Sequence, residues 1–443
     1  MAKSLKERLI KIFQGNFVKD TAILQVGNVF STGLTFVASL VFARVLGPNN
    51  YGQYVLIFSF ANLMATFMHW GADYATTTLL AEAWAKRDKI AVKNIIVFYV
   101  KIFLLISVSV GLLVIIFSTA LANYFYHNPL IGSLAVWVVW AGIINSFFAL
   151  VTIILQVARK IKHLTVIENI NKVSDILLPI IFVLLGFGLK GLVTGLVVSA
   201  FIFFVISYYF YEYLLTRTDL LPSFGEIYRG LRQVVVKEYF KFGFLIAVDK
   251  NLASLYSTLP MFFAGIFISN AELGFFKIAS SYLGLSLIIL KPVSRLLVVQ
   301  LPKSRTYGQR TLKDHFFKTT IYSFIIVTLT IVPMLLVGPF LVRLFYGVKY
   351  LPTVEVIYWL WPYVIVSSLG VSLSALFRTI NRMRVTIITN AVILFLTVPL
   401  AYLAIKTYGL KGLIITTIGL TFLPIMSLIV YAYKYFDQSS NSE

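Results

Sequence analysis

The chain has 443 residues, 59% of them hydrophobic and only 12% charged, with a mean hydropathy of +0.89. A soluble domain carries roughly twice that charged fraction, and the absence of cysteine removes disulfide frameworks, thiol chemistry and Cys-based metal sites. The formal net charge of +21 would suit nucleic acid, but its distribution along the chain assigns it to membrane topology instead.

In chain order, residues 3–19 come first, with Leu5, Leu9 and Ile12 at helical spacing among basic residues. That is the pattern of a helix lying on a membrane surface. Apolar runs then predict spans at 21–46, 51–73, 92–121, 130–157, 164–187 and 191–213. The first run is long enough to cross and lacks a small-residue cleavage pattern, which argues against a removable leader. Pro222, Gly225 and Gly230 interrupt the connection 212–241, where residues 227–240 read as a second basic interfacial helix. Spans at 242–268, 272–299, 319–342, 353–377, 385–406 and 412–434 follow. Runs such as 102–121, 319–342 and 412–433 contain no charge at all. About 20 such residues cross the hydrocarbon core as a helix, which keeps every backbone hydrogen bond inside the segment.

The basic residues alternate in density from loop to loop. Twenty-six fall in the N-terminal stretch, the alternate loops and the C-terminal end, whereas seven (Arg44, Lys190, Lys277, Arg343, Lys349, Lys406 and Lys411) fall on the opposite side. The positive-inside rule places both termini in the cytoplasm and the protein in the cell membrane. The excess charge is then topology and attraction to lipid headgroups, and nucleic acid is not an expected partner.

Self-comparison reveals a repeat of half the chain. Gly188-Leu189-Lys190-Gly191-Leu192 returns 221 residues later as Gly409-Leu410-Lys411-Gly412-Leu413. Thr165 and Asn169 match Thr386 and Asn390 at the same offset, and Gly52, Trp137 and Ser146 match Gly274, Trp359 and Ser368 at 222. The expected fold is therefore an all-α polytopic membrane protein of about twelve transmembrane helices in two six-helix pseudo-symmetric lobes. Residues 1–215 form the first lobe, 216–241 an amphipathic linker and 242–443 the second lobe. Parallel repeats of this kind are a transporter architecture, in which one half rocks against the other around the substrate path. The Gly-Leu-Lys-Gly segments themselves read as tight helix turns that need glycine.

A charge inside a span costs about 3 kcal/mol and so faces the bundle interior or a wet cavity. Five cations (Lys101, Lys172, Lys250, Lys291 and Arg295) and three acids (Glu168, Asp175 and Asp249) fall within spans, all toward the cytoplasmic side. Arg44 and Asp73 join them from span ends. Glu168, Lys172 and Asp175 are spaced i, i+4, i+7 and share one helix face. Two readings stand: a polar wall that binds an anion while a carboxylate carries a proton or sodium, or a structural ion pair between spans. Lys101, Lys291 and Arg295 have the further option of reaching the interface. Asp249 and Lys250 are adjacent and point in different directions. The candidate anion-binding set is thus Lys101, Lys172, Lys250, Lys291, Arg295 and Arg44, and the candidate ion-coupling set is Glu168, Asp175, Asp249 and Asp73. Trp137, Trp140, Trp359 and Trp361 suit an aromatic belt, with sugar stacking as the alternative. The four histidines lack metal-ligand spacing and no P-loop is present. No metal, cofactor or covalent catalysis is expected.

The segment Ala43-Arg44-Val45-Leu46-Gly47-Pro48-Asn49-Asn50-Tyr51-Gly52-Gln53-Tyr54 resembles the AR-x-LGP-x-x-YG-x-Y signature joining the first two spans of the polysaccharide-biosynthesis flippases. Those belong to the superfamily of multidrug and toxin extruders and the peptidoglycan-precursor flippase. Leu344-Phe345-Tyr346-Gly347-Val348-Lys349-Tyr350 resembles the family's loop before span ten, and Leu155-Gln156 with Arg159-Lys160 its turn between spans four and five. The resemblance implies a V-shaped MATE-like transporter fold. It also implies export of a polyprenyl-pyrophosphate-linked oligosaccharide by alternating access, coupled to H+ or Na+. Glycosyltransferases and a polymerase of the same pathway would be the accompanying partners. Two extra spans and an arginine-rich first span, features of the peptidoglycan-precursor flippases, are missing, so a surface-polysaccharide repeat unit is the expected cargo. A drug extruder of the same fold is the nearest rival, opposed by like-charge repulsion between a cationic drug and the intramembrane cations. A membrane-embedded glycosyltransferase or polymerase is the rival from another class, opposed by the short outer loops.

Overall fold

The computed structural model describes residues 16–66, 68, 72–234 and 236–440, and these are helical almost throughout, with no strand among them. Most of the surface helix expected at 3–19 lies outside the described residues. Among the described residues, eight helices are long and apolar enough to cross a membrane. Side chains such as Phe395 (81% exposed) and Leu336 (77%) belong on a surface solvated by lipid, where apolar exposure carries no penalty.

Some runs are too long for a single crossing. Asn16–Ala65 (α1) has 50 residues and Met383–Ser440 has 58; a straight 58-residue helix would be about 87 Å, nearly three hydrocarbon thicknesses. Each turns back at a glycine in the left-handed half of φ/ψ space: Gly47 (φ 73°) and Gly409 (φ 55°). Ile161–Phe182 (α2) passes through the π-helical turn Val183–Phe187 into Gly188–Arg217 (α3), with Gly186 at φ 91° and Gly188 at φ 56°. A Cβ is disfavoured in these conformations, so glycine is the residue that lets the chain reverse. Gly188 (φ 56°, ψ −135°) and Gly409 (φ 55°, ψ −126°) adopt nearly the same backbone conformation. The sequence repeat at offset 221 is therefore also a repeat of local geometry.

Two expected elements are placed differently. Span two ends at Ala65, and Ala72–Ala85 forms a separate helix with Asp73 in its first turn, where a carboxylate favours the helix N-terminus. The linker helix covers Phe224–Gln233 (α4) rather than 227–240. Its start is set by a capping box: the Ser223 backbone N–H donates to Glu226 Oε2 at 2.8 Å, and the Glu226 N–H donates to Ser223 Oγ at 3.3 Å. It ends at Val234, which takes an extended backbone conformation (φ −75°, ψ 125°) that its β-branched side chain favours. Ile227 and Gly230 are buried while Arg229 and Arg232 are exposed, the division an interfacial helix requires. The N–H and hydroxyl of Ser223, with Lys93 and Lys89 nearby, hold the Glu226 carboxyl below the usual carboxylate range.

The chain divides into two compact units, Met1–Val41 with Phe67–Ala120 and Ser133–Ala247, and Phe42–Thr66 with Leu121–Gly132 and Val248–Glu443. The first is built around Ile96, Phe98, Leu155, Phe203 and Tyr211, and the second has a cluster around Phe316, Leu376, Phe377 and Phe436. Each unit thus buries its own aromatic and aliphatic core.

Candidate functional site

Within the first unit, α2 and α3 are the two helices joined by the glycine turn, and their packing brings polar groups together in the membrane. Gly195 of α3 lies directly against Pro179 of α2; a Cβ at Gly195 would stand 2.5 Å from the Pro179 nitrogen. This approach sets the spacing of the helices one turn away. There Ser199 Oγ lies 2.7 Å from Asp175 Oδ1 and 2.9 Å from Ser174 Oγ. Ser199 is fully buried and Asp175 half-buried. Pro179 has a second effect. It carries no N–H, so the carbonyl of Asp175, four residues earlier, loses its helical donor. One turn before Asp175, Asn171 is 7% exposed and its Nδ2 finds no hydrogen-bond partner. A buried polar atom in that state stands out against the usual satisfaction of buried groups. A carboxylate, two hydroxyls, a freed carbonyl and an amide are thereby gathered on one stretch of two packed helices. Such a set suits a proton or a small monovalent cation.

Lys172 is half-buried one turn from Asp175 and close enough to act on it electrostatically. Glu168, a turn further, is exposed. The other face of α2 is also polar: Ser31 Oγ donates to Asn169 Oδ1 at 2.9 Å, and Asn169 Nδ2 donates to the Thr165 carbonyl at 2.7 Å.

The remaining candidates are dispersed. Lys101 Nζ donates to the Val234 carbonyl at 3.0 Å and so ties the helix Lys89–Ile102 to the end of α4. Arg44, on the second unit, directs its guanidinium at the carbonyls of Leu344 and Phe345. Asp73 lies beside Tyr99, whose hydroxyl donates to the Ser146 carbonyl at 3.1 Å. Lys291 is exposed at the start of the helix Lys291–Thr306. The side chains of Asp249, Lys250 and Arg295 lie outside the described residues. Sequence reasoning selected Asp175 and Lys172 but missed Ser174, Ser199 and Asn171. A proline four residues after an intramembrane acid was the available signal.

A cavity of about 300 Å³ also lies within the first unit, lined by Tyr99, Phe103, Ile143, Phe147, Phe204 and Phe224 among others. Its walls are hydrocarbon, since Tyr99 turns its hydroxyl to a backbone carbonyl, and none of the candidate charges lines it.

The family described as "Polysaccharide biosynthesis protein" is matched over residues 41–355. The chain belongs to that family. Its fold is that of the MATE transporters. An inward-facing multidrug-resistance MATE transporter of the MOP superfamily superposes with a TM-score of 0.73 at 17% identity, covering 93% of this chain and 96% of that one. A MATE protein in complex with MaL6 gives 0.66 at 16% identity over 98% and 99% of the two chains. The lipid II flippase MurJ in an inward closed conformation gives 0.71 at 13% identity over 93% and 87%. No curated protein is matched by sequence. This family member is accordingly a multi-pass membrane protein with the fold of the MATE transporters.

Proposed function

We propose that this protein is an ion-coupled flippase that moves a polyprenyl-pyrophosphate-linked oligosaccharide from the cytoplasmic to the outer leaflet of the cell membrane, without covalent chemistry. The observation that carries the reading is the Asp175–Ser174–Ser199 cluster with Lys172 one turn away. An acid with a buried hydroxyl partner is a place for the coupling ion, and the neighbouring ammonium is a place for the pyrophosphate. Occupancy of either changes the field felt by the other across a low-dielectric gap. The polysaccharide-biosynthesis family and the likeness to a lipid II flippase support a lipid-linked cargo.

In this reading both termini are cytoplasmic, and lobes 1–215 and 242–443 rock against each other about the linker 216–241. Lys101 and Arg44 already serve backbone carbonyls, so the headgroup site centres on Lys172, with Lys250, Lys291 and Arg295 as the cations of the second lobe, none of them its repeat image. Glycosyltransferases supply the cargo on one side and a polymerase consumes it on the other.

Reconstitution into proteoliposomes tests the assignment. A fluorescent polyprenyl-pyrophosphate-linked oligosaccharide should cross the bilayer faster than in protein-free vesicles, while a cationic dye should not be exchanged for protons. The reverse pattern would make the protein a drug extruder.

A further inference from the structure

The apolar cavity of the first unit has no part in the transport chemistry. Two of its walls are the helices Pro129–Val157 and α3, and a third is Lys89–Ile102 with the π-helical turn Phe103–Ser107 that follows it. Along that third wall the lining runs from Tyr99 to Val108, about 14 Å at the helical rise. The remaining wall is α4, which contributes Phe224 and Ile227. The polar groups at hand are engaged elsewhere: the Tyr99 hydroxyl donates to the Ser146 carbonyl, and the Ser146 hydroxyl to the Gly142 carbonyl. Nothing in the walls is left to hold water, and a dry apolar cavity takes an apolar guest. Left empty, it would forfeit the dispersion contacts of every side chain around it.

Two of the lining residues, Leu104 and Phe204, are exposed on the lipid-facing surface. The π-helical turn contributes to this: Ser107 is buried and donates to the Met68 carbonyl at 3.2 Å, while Leu104 and Leu105 are left outside. Turns of this kind gather at functional sites. The placing of α4 sets the depth. Phe224 stacks on Tyr208, with ring centroids 5.2 Å apart and planes 13° from parallel. It also packs on Tyr211, whose hydroxyl donates to the Pro222 carbonyl at 2.7 Å. Gly230 lies against Val97, so close that a Cβ would stand 2.7 Å from Cγ2. Tyr209, Tyr213 and Tyr228 are exposed in the same region, as aromatic rings at the headgroup level are.

Charge decides which lipid belongs there. Arg229 and Arg232 are exposed on α4, and Lys89 and Lys93 are near enough to act on Glu226. Among the described residues none of these four cations forms an ion pair, and the Glu226 carboxylate is already held by Ser223. A hydrocarbon chamber thus ends beneath unneutralised cations at headgroup depth. A zwitterionic lipid would bring a cation of its own to that place; an anionic one would not. We propose that the cavity holds one acyl chain of an anionic phospholipid whose phosphate rests on Arg229 and Arg232. It is a resident lipid rather than cargo, and it fastens α4 to the spans above it. The inference uses the membrane placement of the functional reading and is independent of what is transported.

Because the chain has no cysteine, a fluorophore can be placed at Leu104→Cys on the cavity rim, or at Ile116→Cys, exposed further along the same run of helix. The full chain is reconstituted in phosphatidylcholine vesicles with a minority of phosphatidylglycerol, either lipid carrying brominated chains that quench the label. At Leu104 brominated phosphatidylglycerol should quench well beyond its share of the bilayer, whereas at Ile116 each lipid should quench in proportion to its abundance. Arg229→Gln and Arg232→Gln should each raise the phosphatidylglycerol needed for half-maximal quenching by about fivefold. Quenching at Leu104 in proportion to abundance, or indifferent to both substitutions, overturns the proposal. A label-free measurement tests the cavity itself. Phosphatidylglycerol added in detergent should raise the melting temperature of the wild-type protein by ligand linkage. Val100→Phe, which fills the cavity from its lining, should fold and lose that rise; an undiminished rise overturns the assignment. Neither measurement involves cargo, so failure here leaves the flippase reading standing, and failure of transport leaves the lipid site standing.

Discussion

Asp175 and Arg44 show how two charged residues in one hydrophobic chain acquire different roles. Both were legible as charges in costly places. Their partners were not, because serine and threonine are common in membrane helices and most bond their own preceding turn, as Thr165 and Ser146 do here. Ser199 differs only because Gly195 and Pro179 bring α2 and α3 close enough for it to cross between helices. Similarly, Arg44 grouped with the cavity cations in sequence because nothing there shows Leu344 and Phe345 as its acceptors, some 300 residues away. At this scale Asp175→Asn, nearly isosteric and still able to bond Ser199, should retain the fold but lose cation-dependent stabilisation. A thermal unfolding series with sodium titrated against potassium, and a second with pH lowered, should raise the melting temperature of the wild-type protein in one of them by ligand linkage and leave the variant flat. Equal responses in both proteins would place the coupling ion elsewhere. Lys172→Ala should fold normally yet translocate the pyrophosphate-linked cargo more slowly; full activity would make the cation structural.

The elements that the sequence predicted best are those written by glycine. The turns at Gly188 and Gly409 were recognisable as a repeat, and their matching backbone angles follow from the residue that permits them. The elements displaced from expectation are the short ones at the membrane surface, where apolar run length carries little information. Ser223 and Glu226 spell a capping box that fixes the start of α4, a signal hydropathy passes over. Three substitutions belong here. Gly195→Ala forces a Cβ against the Pro179 backbone and should destabilise the helix pair by about 1–3 kcal/mol. Gly142→Ala, with open space around its Cβ, should be neutral or mildly stabilising in the same thermal assay. Ser223→Ala should expose residues 224–233 to faster hydrogen exchange, by about 1 kcal/mol of lost capping. The depressed Glu226 carboxyl adds a sign: its stabilisation is present above the unfolded pKa of roughly 4.3. It is lost as pH falls through the lower folded value. Wild type and variant should therefore converge in strong acid, and a gap that widens there would remove Glu226 from the cap.

At the scale of the whole molecule, the repeat and the charge distribution contribute different parts of the function. The halves match in length and in their reversals, on which the proposed rocking rests, but the Asp175 cluster belongs to the first half. Asp175 falls 221 residues before Leu396, and Lys172 before Ile393, so the repeat has no charged counterpart to either. A symmetric scaffold with one asymmetric ion site can couple a single ion-binding event to a motion both halves share. The most direct measurement is the initial rate of transbilayer movement of a polyprenyl-pyrophosphate-linked oligosaccharide in proteoliposomes, with and without an imposed sodium or proton gradient. One gradient should accelerate the wild-type protein and leave Asp175→Asn at the rate it shows without a gradient. A wild-type rate indifferent to both gradients, or a variant that responds as fully as wild type, would contradict it.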